Sequence, residues 1–80
     1  MKAHPFIEAN PQILLGKPVV KGTRIPVELI VRKLGEGATM EELLDGYPNL
    51  TLETIRAALI YAADLIRNEE ILYPKTGTSN

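Results

Sequence analysis

The sequence predicts a mainly α fold: a three-helix body with a helix-turn-helix arrangement, preceded by a small N-terminal β-ribbon. Two stretches place apolar residues at the spacing of an amphipathic helix, one from Val27 and a longer one after Thr51. Before them, residues 7–27 mix turn-forming and strand-forming residues in short alternation. These observations place the ribbon first and the helices after it.

Three turns divide residues 7–27 into short pieces. The turns are Asn10-Pro11, Gly16-Lys17-Pro18 and Gly22-Thr23. Glycine tolerates positive φ and proline fixes φ near its turn value, so both residue types favour chain reversal. The predicted strands are Ile13-Leu14-Leu15 and Val19-Val20, and Arg24-Ile25 is expected to return antiparallel to the second. A ribbon this small must lie on the helices or pair with another chain.

The first helix is predicted to begin at Pro26, because the first helical residue does not need a backbone N–H. Its apolar face consists of Val27, Ile30, Val31 and Leu34. Gly35 and Gly37 are expected to end it.

Two threonines mark the starts of the second and third helices. Thr39 and Glu42 form a capping box, and Tyr47-Pro48 ends the short helix that follows. Thr51 is expected to cap the third helix. The core face of that helix is predicted to be Leu52, Ile55, Ala58, Leu59, Ala62, Leu65 and Ile66. A short and a long helix joined by a tight turn are typical of a helix-turn-helix unit.

Length and composition indicate one small domain. The chain has 80 residues, and we expect residues 7–68 to form a single domain with flexible ends at 1–6 and 74–80. No apolar run is long enough for a signal peptide or a membrane span, so we expect a cytoplasmic protein without membrane contact.

Catalysis is not expected. The sequence has no cysteine and one histidine, His4, which we expect to be exposed and without a role. Its paired acids, such as Glu41-Glu42, are adjacent on helices and cannot converge on one site. We therefore predict no enzyme activity, no cofactor and no metal site.

The charge is divided unevenly along the chain. Residues 1–34 carry six cations and two acids, whereas residues 35–80 carry three cations and eight acids, for a net charge of −1 overall. This asymmetry is either a basic surface for an anionic partner or two helix faces that are solvated differently. The candidate DNA-binding residues are Lys17, Lys21, Arg24, Arg32 and Lys33. In the third helix and just after it, acids outnumber Arg56 and Arg67, which argues against that helix as a reader of DNA.

The third helix carries more apolar surface than one face can hold. Ile60 and Tyr61 lie away from its main apolar stripe, so a second face is expected to be covered by the ribbon or by another chain. The candidate dimer or partner contacts are Ile60, Tyr61, Ile71, Leu72 and Tyr73.

Several motifs together resemble a known family. They are Asn10-Pro11, Gly16-Lys17-Pro18-Val19, Gly22-Thr23-Arg24-Ile25-Pro26-Val27, Glu41-Glu42-Leu43, Tyr47-Pro48, Leu50-Thr51 and Tyr61-Ala62. At this spacing, over roughly residues 7–66, the chain resembles the domain-of-unknown-function family 433. The resemblance implies a homeodomain-like helical domain with an N-terminal β element. It also implies the antitoxin half of a toxin-antitoxin pair whose toxin is a PIN-like ribonuclease.

The sequence and the resemblance together predict an antitoxin, expected to be a homodimer, that binds a PIN-like toxin and can also bind operator DNA. A DNA-binding transcriptional regulator without a toxin is the first alternative. A plain dimerisation module is the second. The salt dependence of duplex binding and co-purification with a small ribonuclease would separate the three.

Overall fold

The computed structural model of the protein describes residues 4–68. In this range the elements are β1 (Ile7–Ala9), β2 (Pro18–Val20), α1 (Val27–Gly35), α2 (Met40–Gly46) and α3 (Leu52–Asn68). The predicted mainly helical fold with a small N-terminal antiparallel ribbon is therefore confirmed. None of the described helices is long and apolar enough to cross a membrane.

The ribbon pairs different residues from those the sequence predicts. Strand β1 runs antiparallel to β2, with Ile7 opposite Val20 and Ala9 opposite Pro18. The predicted strand Ile13-Leu14-Leu15 is wrong, because its two leucines belong to a turn, Leu14–Gly16, between the strands.

Local hydrogen bonds explain why that stretch turns instead of extending. The Gln12 N–H donates to Asn10 Oδ1 at 2.8 Å, and the Ile13 N–H donates to the Asn10 carbonyl at 2.8 Å. The chain is thus already reversing at Asn10, and it has to bring Pro18 back beside Ala9. Turn chemistry therefore overrides the strand propensity of the apolar residues.

The predicted return of Arg24-Ile25 along β2 is observed as a short bridge. The Val20 N–H donates to the Ile25 carbonyl at 3.0 Å, and Val19 pairs with Pro26. Proline has no N–H to continue a ladder. Helix α1 accordingly begins at the next residue, Val27, one position later than predicted.

Threonine caps fix the starts of α2 and α3. The Glu42 N–H donates to Thr39 Oγ1 at 3.1 Å, and the Thr39 N–H donates to Glu42 Oε1 at 2.9 Å, which confirms the predicted capping box. At α3 the Thr54 N–H donates to Thr51 Oγ1 at 3.1 Å, and the Thr51 N–H donates to Thr54 Oγ1 at 2.9 Å. Thr54 therefore has at α3 the role that Glu42 has at α2, since its side chain accepts the N–H of the capping threonine.

One small core joins the ribbon to the helices. Ile30 of α1 and Ile55 of α3 are fully buried at its centre. Around them the buried residues are Ile7, Val20, Val27, Leu43, Leu50 and Ala58. Tyr47 packs against this core from the end of α2. The ribbon is therefore supported by the helices of its own chain.

The predicted core face of α3 is only partly buried. Ile55 and Ala58 are buried, but Leu52 is 43% exposed and Ile66 is 59% exposed. The reason is length, since α3 has 17 residues and the packed partner α1 has nine. The ends of α3 therefore extend beyond the core.

Candidate interaction surfaces

An open groove lies between α1, the C-terminal half of α3 and the start of β2. Its volume is about 520 Å³. The lining residues are Lys17, Pro18, Pro26, Val27, Glu28, Val31, Arg32, Tyr61, Ala62, Leu65 and Ile66. Val31 remains 38% exposed and Ile66 59% exposed, so apolar walls of this groove contact water.

Two of the five predicted DNA-binding residues meet at this groove. Lys17 and Arg32 both line it, together with Glu28. Lys17 Nζ lies 3.3 Å from Glu28 Oε2, and both side chains are more than half exposed. Because Lys17 already pairs with an acid, its charge is partly neutralised before any phosphate approaches.

Lys21 and Arg24 lie elsewhere, Lys21 within the turn that follows β2 and Arg24 directly after it. The turn is held by Thr23, whose Oγ1 donates to the Val20 carbonyl at 2.7 Å and accepts from the Ile25 N–H at 3.0 Å. Both cations are exposed, and within residues 4–68 neither forms an ion pair. Lys33, the fifth candidate, is half-buried on α1.

The outer face of α3 is formed by Arg56, Ile60, Ala63 and Arg67. These residues follow one another at helical spacing, and all four are exposed. Ile60 is 58% exposed between the two arginines. Within residues 4–68, the acid in line with this row is Glu53, one turn earlier, so the described part of the row carries a net positive charge. A charge count over the whole helix does not show this local excess of positive charge.

Tyr61 points to a different surface from Ile60. Its ring packs edge-on against the ring of His4, with 4.9 Å between centroids. His4 Nε2 lies 3.5 Å from Asp64 Oδ2, and the histidine side chain is only 12% exposed. The expectation that His4 is exposed is therefore wrong, because its ring packs against Tyr61 on α3 and lies beside Asp64, although its Nε2 forms no hydrogen bond within residues 4–68. Asp64 follows Ile60 by four residues, and its carboxylate lies beside His4.

The remaining partner candidates, Ile71, Leu72 and Tyr73, lie outside the described residues, as do residues 1–3 and the predicted flexible end at 74–80. Across residues 4–68 no three histidine, cysteine or acidic side chains are grouped as a metal site would require.

A family model described as "Protein of unknown function (DUF433)" matches residues 7–62. The chain belongs to the DUF433 family. The matched range contains both strands, α1, α2 and most of α3.

Two proteins are similar to this DUF433 protein over most of its length. The uncharacterized protein y4eO of Sinorhizobium fredii is 42% identical over 60 residues, which is 75% of this chain and 27% of that protein. The crystal structure of a DUF433 member from Anabaena variabilis superposes with a TM-score of 0.70 at 36% identity, over 80% of this chain and 66% of that one. The chain thus spans about a quarter of the curated relative and just under two thirds of the solved one.

One feature of this DUF433 domain was not anticipated from its sequence. Leu14 has φ 49° and Leu15 has φ 60°, and Gly16 follows with φ 86°, so three consecutive residues are in the left-handed region. Leu15 is 96% exposed. The sequence feature that could have indicated this turn is the position of the two leucines directly before Gly16-Lys17-Pro18. Strand propensity alone placed these leucines in a strand.

Proposed function

We propose that this DUF433 protein is the antitoxin of a toxin-antitoxin pair and that it binds and neutralises a PIN-like ribonuclease. The observation that carries the proposal is the outer face of α3. There an exposed isoleucine, Ile60, lies between the exposed arginines Arg56 and Arg67. An apolar contact flanked by arginines is a composition favoured at protein interfaces, and it complements an acidic partner.

A PIN-like active site gathers acidic side chains around a divalent metal, which makes its mouth such a partner. An arginine guanidinium can donate two parallel hydrogen bonds to one carboxylate. Arg56 and Arg67 are eleven residues apart, about 16 Å along a helix. In the proposed complex one arginine pairs with acids at the active site, while the other contacts acids on its rim.

Ile60 supplies the apolar part of the proposed contact. Fully burying an isoleucine side chain contributes about 1.5–3 kcal/mol, and Ile60 begins with more than half of its surface in water. Desolvation around it would also strengthen the neighbouring arginine–carboxylate pairs.

The proposal includes three further statements. Helices α2 and α3, joined by residues 47–51, form a homeodomain-like helix-turn-helix pair. The protein works as a homodimer. It acts in the cytoplasm, where a ribonuclease toxin meets its RNA.

The test uses the PIN-like ribonuclease that the proposal expects to be encoded beside this gene, and two substitutions of one residue. Ile60 on the outer face is 58% exposed. The wild-type protein should inhibit cleavage of RNA by the ribonuclease. Ile60→Glu should weaken inhibition at least tenfold, about 1.4 kcal/mol, while Ile60→Val, which keeps an apolar side chain at the contact, should inhibit close to the wild type. Circular dichroism would check that both variants keep their helices. Equal inhibition by wild type and Ile60→Glu would overturn the proposal.

A DNA-binding regulator without a toxin is the second candidate function. It is favoured by Lys21 and Arg24, two exposed cations at a hydrogen-bonded turn. A regulator of this kind requires duplex binding that weakens with salt, without any effect on a ribonuclease. A plain dimerisation module would show neither property.

A further inference from the structure

The turn Leu14–Gly16 holds a leucine in a conformation and an environment that are both unfavourable for it. Leu15 has φ 60° and is 96% exposed. The left-handed conformation costs a residue with a Cβ about 1–2 kcal/mol. Within residues 4–68 no contact of the Leu15 side chain offsets this cost, since almost none of the residue is buried. Strain of this kind is retained where the surroundings enforce it, and it is often linked to function.

The surroundings of Leu15 do enforce its position. The Gly16 N–H donates to the Ile13 carbonyl at 3.0 Å, and the Lys17 N–H donates to the Leu14 carbonyl at 3.2 Å. The Ile13 N–H in turn donates to the Asn10 carbonyl. The leucine is therefore presented to solvent on a fixed turn, which lowers the entropy cost of using it in an interface.

The apolar groove starts directly beside this turn. Lys17, two residues after Leu15, is a lining residue, and two residues span about 7 Å of chain at most. The groove walls include Val31 and Ile66, which are both exposed. Its volume of about 520 Å³ is several times that of one leucine side chain.

We propose that the occupant of the groove is Leu15 of a second copy of this chain. A protruding residue and a complementary groove lie side by side on one surface, which is the arrangement that a two-fold symmetric interface requires. A two-fold axis between the turn and the groove inserts each Leu15 into the groove of the partner copy. This inference specifies the interface of the proposed homodimer, and it does not depend on the antitoxin role.

The charges at the groove allow a second copy to be its occupant. Lys17 and Glu28 form an ion pair at 3.3 Å with side chains 55% and 61% exposed. In the two-fold arrangement these two residues face the same pair in the partner copy, so each lysine can pair with either glutamate, while Arg32, the third charged residue of the lining, is exposed and keeps its guanidinium in water.

Three variants of the full-length protein test the interface by sedimentation equilibrium. The wild type should sediment with twice the mass of one chain. Leu15→Glu removes the protruding leucine and Val31→Lys places a charge in the groove, so each should weaken dimerisation on the order of a hundredfold, because two apolar contacts are lost per dimer. Leu52→Glu is the control: Leu52 is a 43% exposed leucine that does not line the groove, and this variant should stay dimeric.

Mixing the two weakened variants gives the sharper result. In a mixed pair, the intact Leu15 of the Val31→Lys chain meets the intact groove of the Leu15→Glu chain, and the new glutamate meets the new lysine. A heterodimer should therefore form from two chains that do not self-associate. A monomeric wild type, dimers that survive Leu15→Glu, or a mixture that remains monomeric would each overturn the inference. Ribonuclease inhibition by Ile60→Glu is a separate readout, so failure of this interface is distinguishable from failure of the antitoxin proposal.

Discussion

At the scale of single residues, two threonine hydroxyls determine where helices α2 and α3 begin. Each accepts the N–H of the residue three positions on, at 3.1 Å in both cases. The hydroxyl satisfies a donor that has no partner within the helix.

Thr39→Ala should therefore lower the free energy of unfolding by about 1 kcal/mol. Urea denaturation of wild type and variant at one protein concentration measures the difference. Thr39→Ser keeps the hydroxyl and should unfold close to the wild type. An alanine variant as stable as the serine variant would show that the cap contributes nothing.

Leu15 provides a second residue-scale prediction. Leu15→Gly and Leu15→Glu both remove the exposed leucine, but only glycine adopts φ 60° without a steric penalty. The glycine variant should be more stable than the glutamate variant by about 1 kcal/mol. Their urea unfolding curves provide the comparison. Equal stability would mean that residue 15 is not held in the left-handed region.

At the scale of elements, the sequence correctly predicted the features that depend on residues close together in the chain. The cap of α2 at Thr39 and the apolar spacing of α1 follow from short-range rules, and both are observed. The pairing of β1 with β2 joins residues on either side of an eight-residue connection, and propensity alone placed a strand inside that connection. The sequence also could not show which face of α3 stays exposed to water, since this depends on α1 being shorter than α3.

The packing of α1 on α3 is expected to dominate stability. Ile30 and Ile55 are both fully buried in the contact. Ile30→Ala should destabilise the fold by about 2–5 kcal/mol, a large part of the stability of a domain this small. Ile60→Ala, at a 58% exposed position, should change stability by less than about 0.5 kcal/mol. Thermal unfolding of the two variants compares them, and similar melting temperatures would contradict the observed burial.

At the scale of the whole molecule, a net charge of −1 hides a segregation of charge. Lys21 and Arg24 extend from the turn after β2, whereas Lys17 pairs with Glu28. The sequence identified these cations but could not show which are already paired, because Lys17 and Glu28 are brought together only by the fold.

If the protein binds duplex DNA, Lys21 and Arg24 should therefore contribute more than Lys17. The double variant Lys21→Ala/Arg24→Ala should flatten the slope of log affinity against log salt concentration by roughly two units, about one per phosphate contact. Fluorescence anisotropy at several salt concentrations measures this slope. Loss of binding in Arg56→Ala, with an unchanged slope in the double variant, would instead assign DNA binding to α3.

The central claim is that the outer face of α3 binds the ribonuclease while the groove binds a second copy of the chain. The most direct measurement is methyl NMR of the full-length protein with labelled isoleucines, titrated with the ribonuclease. Ile60 and Ile66 are almost equally exposed on one helix, so each serves as the control for the other. The account predicts that the Ile60 methyl signal shifts or broadens on binding while the Ile66 signal does not. A response at Ile66 with none at Ile60 would contradict it.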